Sequence, residues 1–253
     1  SLLALQALSA GILSQVAGVC GERPLPALDP AKALEEAMRK ANRAVKQAAD
    51  AEPPLKGMGT TLTAGLLEGG VLFLGQVGDS RCYRIRGGIM EQQTADHSVV
   101  GELVRLGKLT TEEARTHPRR NIITRAVGVE DEVEVDISAF AVEENDLYLF
   151  CSDGLWELVP DTRIAQLLTA NSIPHAEERA WLQETTGQLL QAALAAGGDD
   201  NITVLLALVN ERDIHPEALR NAQAVARTRV ESAAPETADL KKTLRYRLQE
   251  WQQ

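Results

Sequence analysis

Glycine pairs and an Asp-Ser turn cut the stretch from residue 60 to residue 94 into four short β-rich runs, TTLTAGLLE, VLFLGQVGD, RCYRIR and IMEQQT. The breaks at Gly69-Gly70, Asp79-Ser80 and Gly87-Gly88 leave too little chain for a crossover, so consecutive runs are expected to fold back on one another as hairpins. The expectation is an antiparallel meander, and the rest of the chain has to be arranged around it.

The flanking sequence is helical. Leu2, Leu5, Leu8, Ile12, Leu13 and Val16 recur at helical spacing, and Asp29-Pro30 reads as an N-cap followed by proline at the first helical position. That second helix runs to about Asp50, where AEPPLKGMG stops it. Residues 98–116 return to helical character, with Thr110 and Glu113 spaced as a capping box. Strands are expected at 132–140, 147–151 and 202–209, and helices at 161–169 and 176–195. Antiparallel runs with helices before, between and after them imply an α+β fold, a layered α-β-β-α sandwich of two antiparallel sheets flanked by helices. We assign 1–209 to this domain and 210–253 to a C-terminal helical tail, whose Leu240, Leu244, Leu248 and Trp251 form one apolar stripe expected to dock on the domain or on a partner.

Charge excludes several function classes. A net charge of −10 and a pI near 5.0 do not suit a surface that gathers nucleic acid or anionic lipid. The apolar start lacks a basic leader region and carries Gln6, Ser9 and Gln15, so it reads as an amphipathic core helix rather than a signal peptide. No apolar run reaches the ~18 residues of a membrane span. The three cysteines, Cys20, Cys82 and Cys151, form no CxxC pair, which points to a reducing, cytoplasmic setting.

Three aspartates stand where strands meet loops: Asp79 after VLFLGQVG, Asp153 after LYLFCS and Asp200 before NITVLLALV. Each alone is most simply a turn former. Should the strands around 150 and 205 pair antiparallel, however, Asp153 and Asp200 share one sheet edge, and Asp79 can join them from an adjacent strand. Two like charges ~4 Å apart cost about 4 kcal/mol at an effective dielectric near 20, and a bound cation relieves that repulsion. An all-oxygen donor set suits Mg²⁺ or Mn²⁺ better than zinc.

The words around these aspartates are more specific. GMGTTLTAGLL (57–67), GQVGDSRCYRI (75–85), TADHS (94–98), NIITRAVG (121–128), DLYLFCSDGLWELV (146–159) and GGDDNITVLLALV (197–209) occur in an order and at spacings that resemble the bacterial type 2C (PPM) protein phosphatases. The resemblance implies hydrolysis of phosphoserine and phosphothreonine in proteins, countering a Ser/Thr kinase in signalling. It implies Asp153 and Asp200 as ligands of a Mn²⁺ or Mg²⁺ pair, and Asp79 with Asp153 at a third, weaker site. Asp96, His97, Ser98 and Arg120 fall in the region corresponding to the flap beside the active site. His97 itself is expected to anchor a loop by hydrogen bonds rather than to act as a general acid, Cys151 to be a buried and inert thiol, and Asp199 to face solvent.

The chain also departs from the family pattern. The family's N-terminal segment, with its arginine, its Asn-Glu-Asp-like stretch and the Asp-Gly-x-Gly-Gly turn whose aspartate bridges both metals, has no counterpart in residues 1–253, and GMG at 57–59 follows Lys56 where an aspartate would be needed. Ser1 resembles the start of the helix that follows that turn. The polypeptide beginning at Ser1 is therefore expected by itself to be inactive and poorly soluble, the complete gene product active. The alternative is a non-catalytic, phosphatase-like module that binds a phosphoprotein or a regulatory partner.

Overall fold

The computed structural model describes residues 1–17, 29–170 and 177–214. The tail's apolar stripe and Cys20 lie outside the described residues. Helices α1 (Leu2–Ala17) and α2 (Pro30–Ala51) come first, and a 3-10 turn at Pro53–Leu55 then leads into the strands. Asp29 caps α2 as expected, its carboxylate accepting from the amides of Ala31 and Lys32.

Two antiparallel sheets follow. The first runs β1-β2-β5, from β1 (Leu62–Glu68), β2 (Val71–Val77) and β5 (Asp136–Ala141). The second runs β4-β3-β6-β7, from β3 (Arg81–Arg86), β4 (Ile89–Gln92), β6 (Leu147–Cys151) and β7 (Val204–Leu208). Short helices α3 (Val99–Arg105) and α4 (Thr111–Thr116) lie between β4 and β5, and α4 carries the predicted capping box. Helices α5 (Asp153–Trp156), α6 (Asp161–Thr169) and α7 (Glu178–Ala195) fall between β6 and β7. Among the described residues no helix is long and apolar enough to cross a membrane.

Three apolar layers make the α-β-β-α sandwich. Ala4, Leu34, Met38 and Val45 of α1 and α2 pack on Leu62 and Phe73 of the first sheet. Leu72, Leu74, Cys82, Tyr148 and Val209 fill the space between the sheets. Leu155, Ile164, Leu168, Trp181 and Leu189 cover the outer face of the second sheet over Tyr83 and Leu149. Every residue of β2 is buried, one face against α2 and the other against the second sheet.

The meander holds in two of its three turns. Gly69-Gly70 and Gly87-Gly88 close the β1–β2 and β3–β4 hairpins. At Gly78-Asp79-Ser80 the chain instead crosses from the first sheet to the second, because β1 and β5 already occupy both edges of β2 and leave β3 nothing to pair with. The crossing is held by the Gln76 side chain, which donates to the carbonyls of Gly78 and Ser80, and by the Thr61 and Ser80 hydroxyls at 2.8 Å. Helix α1 also differs from a simple core helix. It meets α2 through small residues, with Ala4 buried and Gly11 close to Ala37, while Leu2, Leu5 and Leu13 are exposed.

Helix α2 crosses β2 at Gly75, where a Cβ would stand 2.3 Å from the Met38 sulfur and 3.3 Å from Leu34. Gly75→Val is therefore expected to destabilise the protein by about 1–3 kcal/mol through overpacking. A urea midpoint equal to that of wild type would show that α2 does not press on the sheet at this point.

Candidate metal centre

Strand pairing decides which carboxylates meet. β6 and β7 pair antiparallel with Cys151 opposite Val204, so the end of one strand lies beside the start of the other, as the sequence suggested. Ser152 extends this contact past the ladder: its hydroxyl donates to the Asn201 carbonyl at 3.0 Å and accepts from the Thr203 amide at 3.0 Å. β7 begins at Val204 rather than at residue 202; just before it the Ser152 amide still donates to the Thr203 carbonyl at 3.2 Å, while the Ser152 hydroxyl takes the Thr203 amide in place of a backbone acceptor. Gly154 follows on α5, and a Cβ there would sit 2.6 Å from the Asn201 carbonyl. The close approach keeps half-buried Asp153 beside exposed Asp200. Asp153 accepts from the Gly154 amide and Asp200 from the Asn201 amide.

Asp79 enters from the β2–β3 crossing and is buried. Beneath it the Trp156 indole donates to the Asp79 carbonyl at 3.1 Å, and the Arg81 guanidinium lies over the same indole, 3.6 Å from the ring centre. Arg81 is paired in turn with Asp96 at 2.7 Å, both side chains being almost enclosed. Burial works against the Arg81 charge, yet Asp96 and the Tyr83 hydroxyl hold its pKa above the ordinary value.

The electrostatics of this edge are unfavourable for negative charge. Burial first, then Asp153 and Asp96, push Asp79 up to about 7. Burial and then Asp200 raise Asp153. Glu157, one helical turn beyond Asp153, is raised by burial and by Asp153, with Arg120 and Arg81 acting in the opposite direction. Glu157 was missed in the sequence. The signal was present in SDGLWE, where carboxylates four residues apart on a helix share one face. Asp199 is exposed.

The four residues expected beside a flap are held in different ways. Asp96 partners Arg81. Ser98 caps α3, accepting from the Gly101 amide. Arg120 is exposed and close enough to Glu157 to influence its charge. Buried His97 accepts from the Gly78 amide at Nδ1 and lies 3.1 Å from Asp136 at Nε2, the anchoring geometry expected of it. Burial works to raise Asp136, but the His97 hydrogen bond and the Arg125 charge hold it down at about 2. Cys82 and Cys151 are buried, and burial pushes the Cys151 thiol up to about 12, which leaves no nucleophile there.

Among the described residues no three His, Cys, Asp or Glu side chains stand close enough to cage a metal. The residues present still fit a hard divalent cation. Such an ion is commonly held by one or two carboxylates with waters completing its shell, and raised carboxylate pKa values mark a site that positive charge would relieve.

The protein phosphatase 2C family model matches residues 18–202. The serine/threonine phosphatase stp of Listeria monocytogenes is 39% identical over 181 residues, covering 72% of this chain and 68% of that protein. The crystal structure of the Mycobacterium tuberculosis serine/threonine phosphatase PstP/Ppp is 37% identical, with a TM-score of 0.66 over 82% of this chain and 83% of that one. The catalytic domain of PstP in complex with two manganese ions is 36% identical, with a TM-score of 0.63 over 81% and 82% of the two chains.

Stability should report the buried carboxylate directly. Native Asp79 keeps a proton that the unfolded chain releases near pH 4, so the contribution of this group falls as pH rises from about 4 to about 7, by at most ~4 kcal/mol. In metal-free protein, Asp79→Asn is expected to lie much closer to wild type at pH 4.5 than at pH 8, where it is the more stable of the two. Parallel urea curves at the two pH values, with a chelator present, measure the difference, and equal stabilities at pH 8 would contradict the raised pKa.

Proposed function

The chain belongs to the protein phosphatase 2C family, and we propose that it serves the hydrolysis of phosphoserine and phosphothreonine in proteins at a Mn²⁺ or Mg²⁺ centre. One observation carries this reading: Asp79, Asp153 and Asp200 reach a single sandwich edge from three strand ends, and the first two have raised pKa values. Asp153 and Asp200 would hold the catalytic ions, two of them by analogy with the two manganese ions of PstP, and Asp79 with Asp153 a third and weaker one. Such ions, when bound, supply positive charge to the phosphoryl oxygens and make water more acidic.

The remaining work falls to the chain's own residues. Ser152 and Gly154 fix the separation of Asp153 from Asp200, so the ligands are in place before substrate arrives. Trp156 supports the Asp79 backbone from below, and Arg81 stacks on its indole. Exposed Arg120, beside Glu157, offers a cation to an incoming phosphoryl group on the open side. In the reaction, water oxygen bonds to phosphorus, the bond to the seryl or threonyl oxygen breaks, and that oxygen takes up a proton. The substrate would be a phosphoprotein product of a Ser/Thr kinase, met in the cytoplasm during signalling.

Replacing a carboxylate that holds the ion should cost at least the ~10–100-fold typical of the residues that merely support such ligands. Asp153→Asn and Asp200→Asn are each expected to lower Mn²⁺-dependent phosphate release from a phosphothreonine peptide by about 100-fold or more in the complete gene product. Asp79→Asn should cost less at saturating Mn²⁺. Full Mn²⁺-stimulated turnover in either of the first two variants would sink the assignment.

A further inference from the structure

One buried imidazole ties the flap to the turn that carries Asp79. The segment between β4 and β5 closes on itself at its root: Ser98 and Ile123 form a bridge, the Val99 amide donates to the Ile122 carbonyl at 2.9 Å, and the Thr124 amide donates to the His97 carbonyl at 2.8 Å. His97 thus belongs to the ring of bonds that closes the flap. Its other bonds leave the flap. The His97 amide donates to the Gly78 carbonyl at 2.9 Å, and its Nδ1 accepts from the Gly78 amide at 3.1 Å, so one residue satisfies both backbone groups of Gly78.

Gly78, whose carbonyl also accepts from Gln76, has little freedom to find another acceptor for its amide. Its φ is +105°, and a Cβ there would stand 2.4 Å from Thr61. Because Nδ1 accepts, the ring proton is assigned to Nε2, which faces Asp136 Oδ2 at 3.1 Å and also lies 3.1 Å from Arg125 Nη1. The other Asp136 oxygen accepts from Arg125 at 2.6 Å, and Arg125 lies just beyond the far root of the flap. Asp136 opens β5 opposite Gln76 of β2, two residues before Gly78. The ring therefore connects the near root of the flap, the first sheet, the far root through Arg125, and the residue immediately before Asp79.

We propose that His97 is a positioning residue, a latch through which the seating of the flap and the placement of the Asp79 carboxylate are set together. Its significance for metal binding rests on the reading of Asp79 as a ligand, whereas the latch itself does not. The two ring nitrogens act on different parts: Nδ1 holds the Asp79 turn, and Nε2, through Asp136 and Arg125, holds the flap to the sheet. A residue that only filled space would show no such division.

The test compares His97→Ala, His97→Asn and Asp136→Asn in the complete gene product, without metal and then with Mn²⁺. The readouts are amide exchange at Gly78, tryptic cleavage after Lys108, Arg115, Arg119 and Arg120, and Mn²⁺ titration. His97→Ala should release both parts, with unprotected Gly78, flap cleavage several-fold faster, and several-fold weaker Mn²⁺ binding. His97→Asn keeps an acceptor near the position of Nδ1 but reaches no Asp136. It should restore Gly78 protection and bring Mn²⁺ affinity to within about twofold of wild type, while flap cleavage stays fast. Asp136→Asn, which keeps the side chain's shape, should speed flap cleavage and leave Gly78 protected, and it decides the matter if His97→Ala does not fold. Unchanged flap cleavage in Asp136→Asn, or unchanged Gly78 exchange in a folded His97→Ala, overturns the latch. If wild type binds no Mn²⁺, the metal assignment falls separately, and the metal-free exchange and cleavage still decide the latch.

Discussion

A guanidinium buried among carboxylates makes the acidic edge of the sandwich compatible with a folded chain. Arg81 is the first residue of β3, pairs with Cys151 at the end of β6, bonds Asp96 and the Tyr83 hydroxyl, and stacks on Trp156. Three contacts draw other elements to one point: the segment after β4 through Asp96, β6 through the pairing with Cys151, and α5 through Trp156. Breaking a buried pair by removing one partner costs about 3–5 kcal/mol, because the remaining charge has no water to fall back on. Asp96 would be that stranded charge, and it already adds to the repulsion felt by Asp79. The cation thus permits carboxylates to gather at this edge without neutralising those that face outward.

The same arrangement explains why an acidic protein is suited to phosphate chemistry. With Arg81 committed to Asp96 and to the indole, Asp79, Asp153 and Asp200 have no ion-pair partner among the described residues. On the proposed reading, their negative potential is left for a cation from solution. Asp79 alone illustrates the tension: its preference for a proton up to about pH 7 measures how poorly the folded chain tolerates its charge. A bound divalent ion would reverse that preference, so stability and metal binding are linked through one side chain.

Much of this was legible in the sequence because local chemistry and global fold agree over most of the chain. Asp29-Pro30 starts α2, Thr110 and Glu113 build a capping box, and the glycine pairs close two hairpins where turn chemistry requires them. Asp153 and Asp200 could be placed together because a single antiparallel pairing suffices to do so. The β2–β3 connection could not be read in the same way. Asp79-Ser80 has the form of a hairpin turn, and only the occupation of both edges of β2 by β1 and β5, the latter some 60 residues later in the chain, forbids the hairpin. Glu157 was overlooked for a related reason: SDGLWE reads as the end of a strand motif, whereas Asp153–Trp156 form a helical turn that carries Glu157 to the same side as Asp153.

The β2–β3 junction, where sequence and fold disagree, is also the one that carries Asp79 of the proposed metal centre. A hairpin at Gly78-Asp79-Ser80 would have turned Asp79 back along the first sheet. Crossing between the sheets instead delivers it to the edge where β6 ends and β7 begins. The crossing needs support that a hairpin would draw from its own ladder, and side chains supply it: Gln76 from β2, Thr61 from just before β1, Trp156 from α5, and His97 from the segment after β4. Local rules tend to fail at functional sites because a residue placed for chemistry takes its support from distant parts of the chain. Here those supports come from β2, from the residue before β1, from α5 and from the segment after β4. A change in any of them therefore reaches Asp79 through its backbone before it alters the side chain.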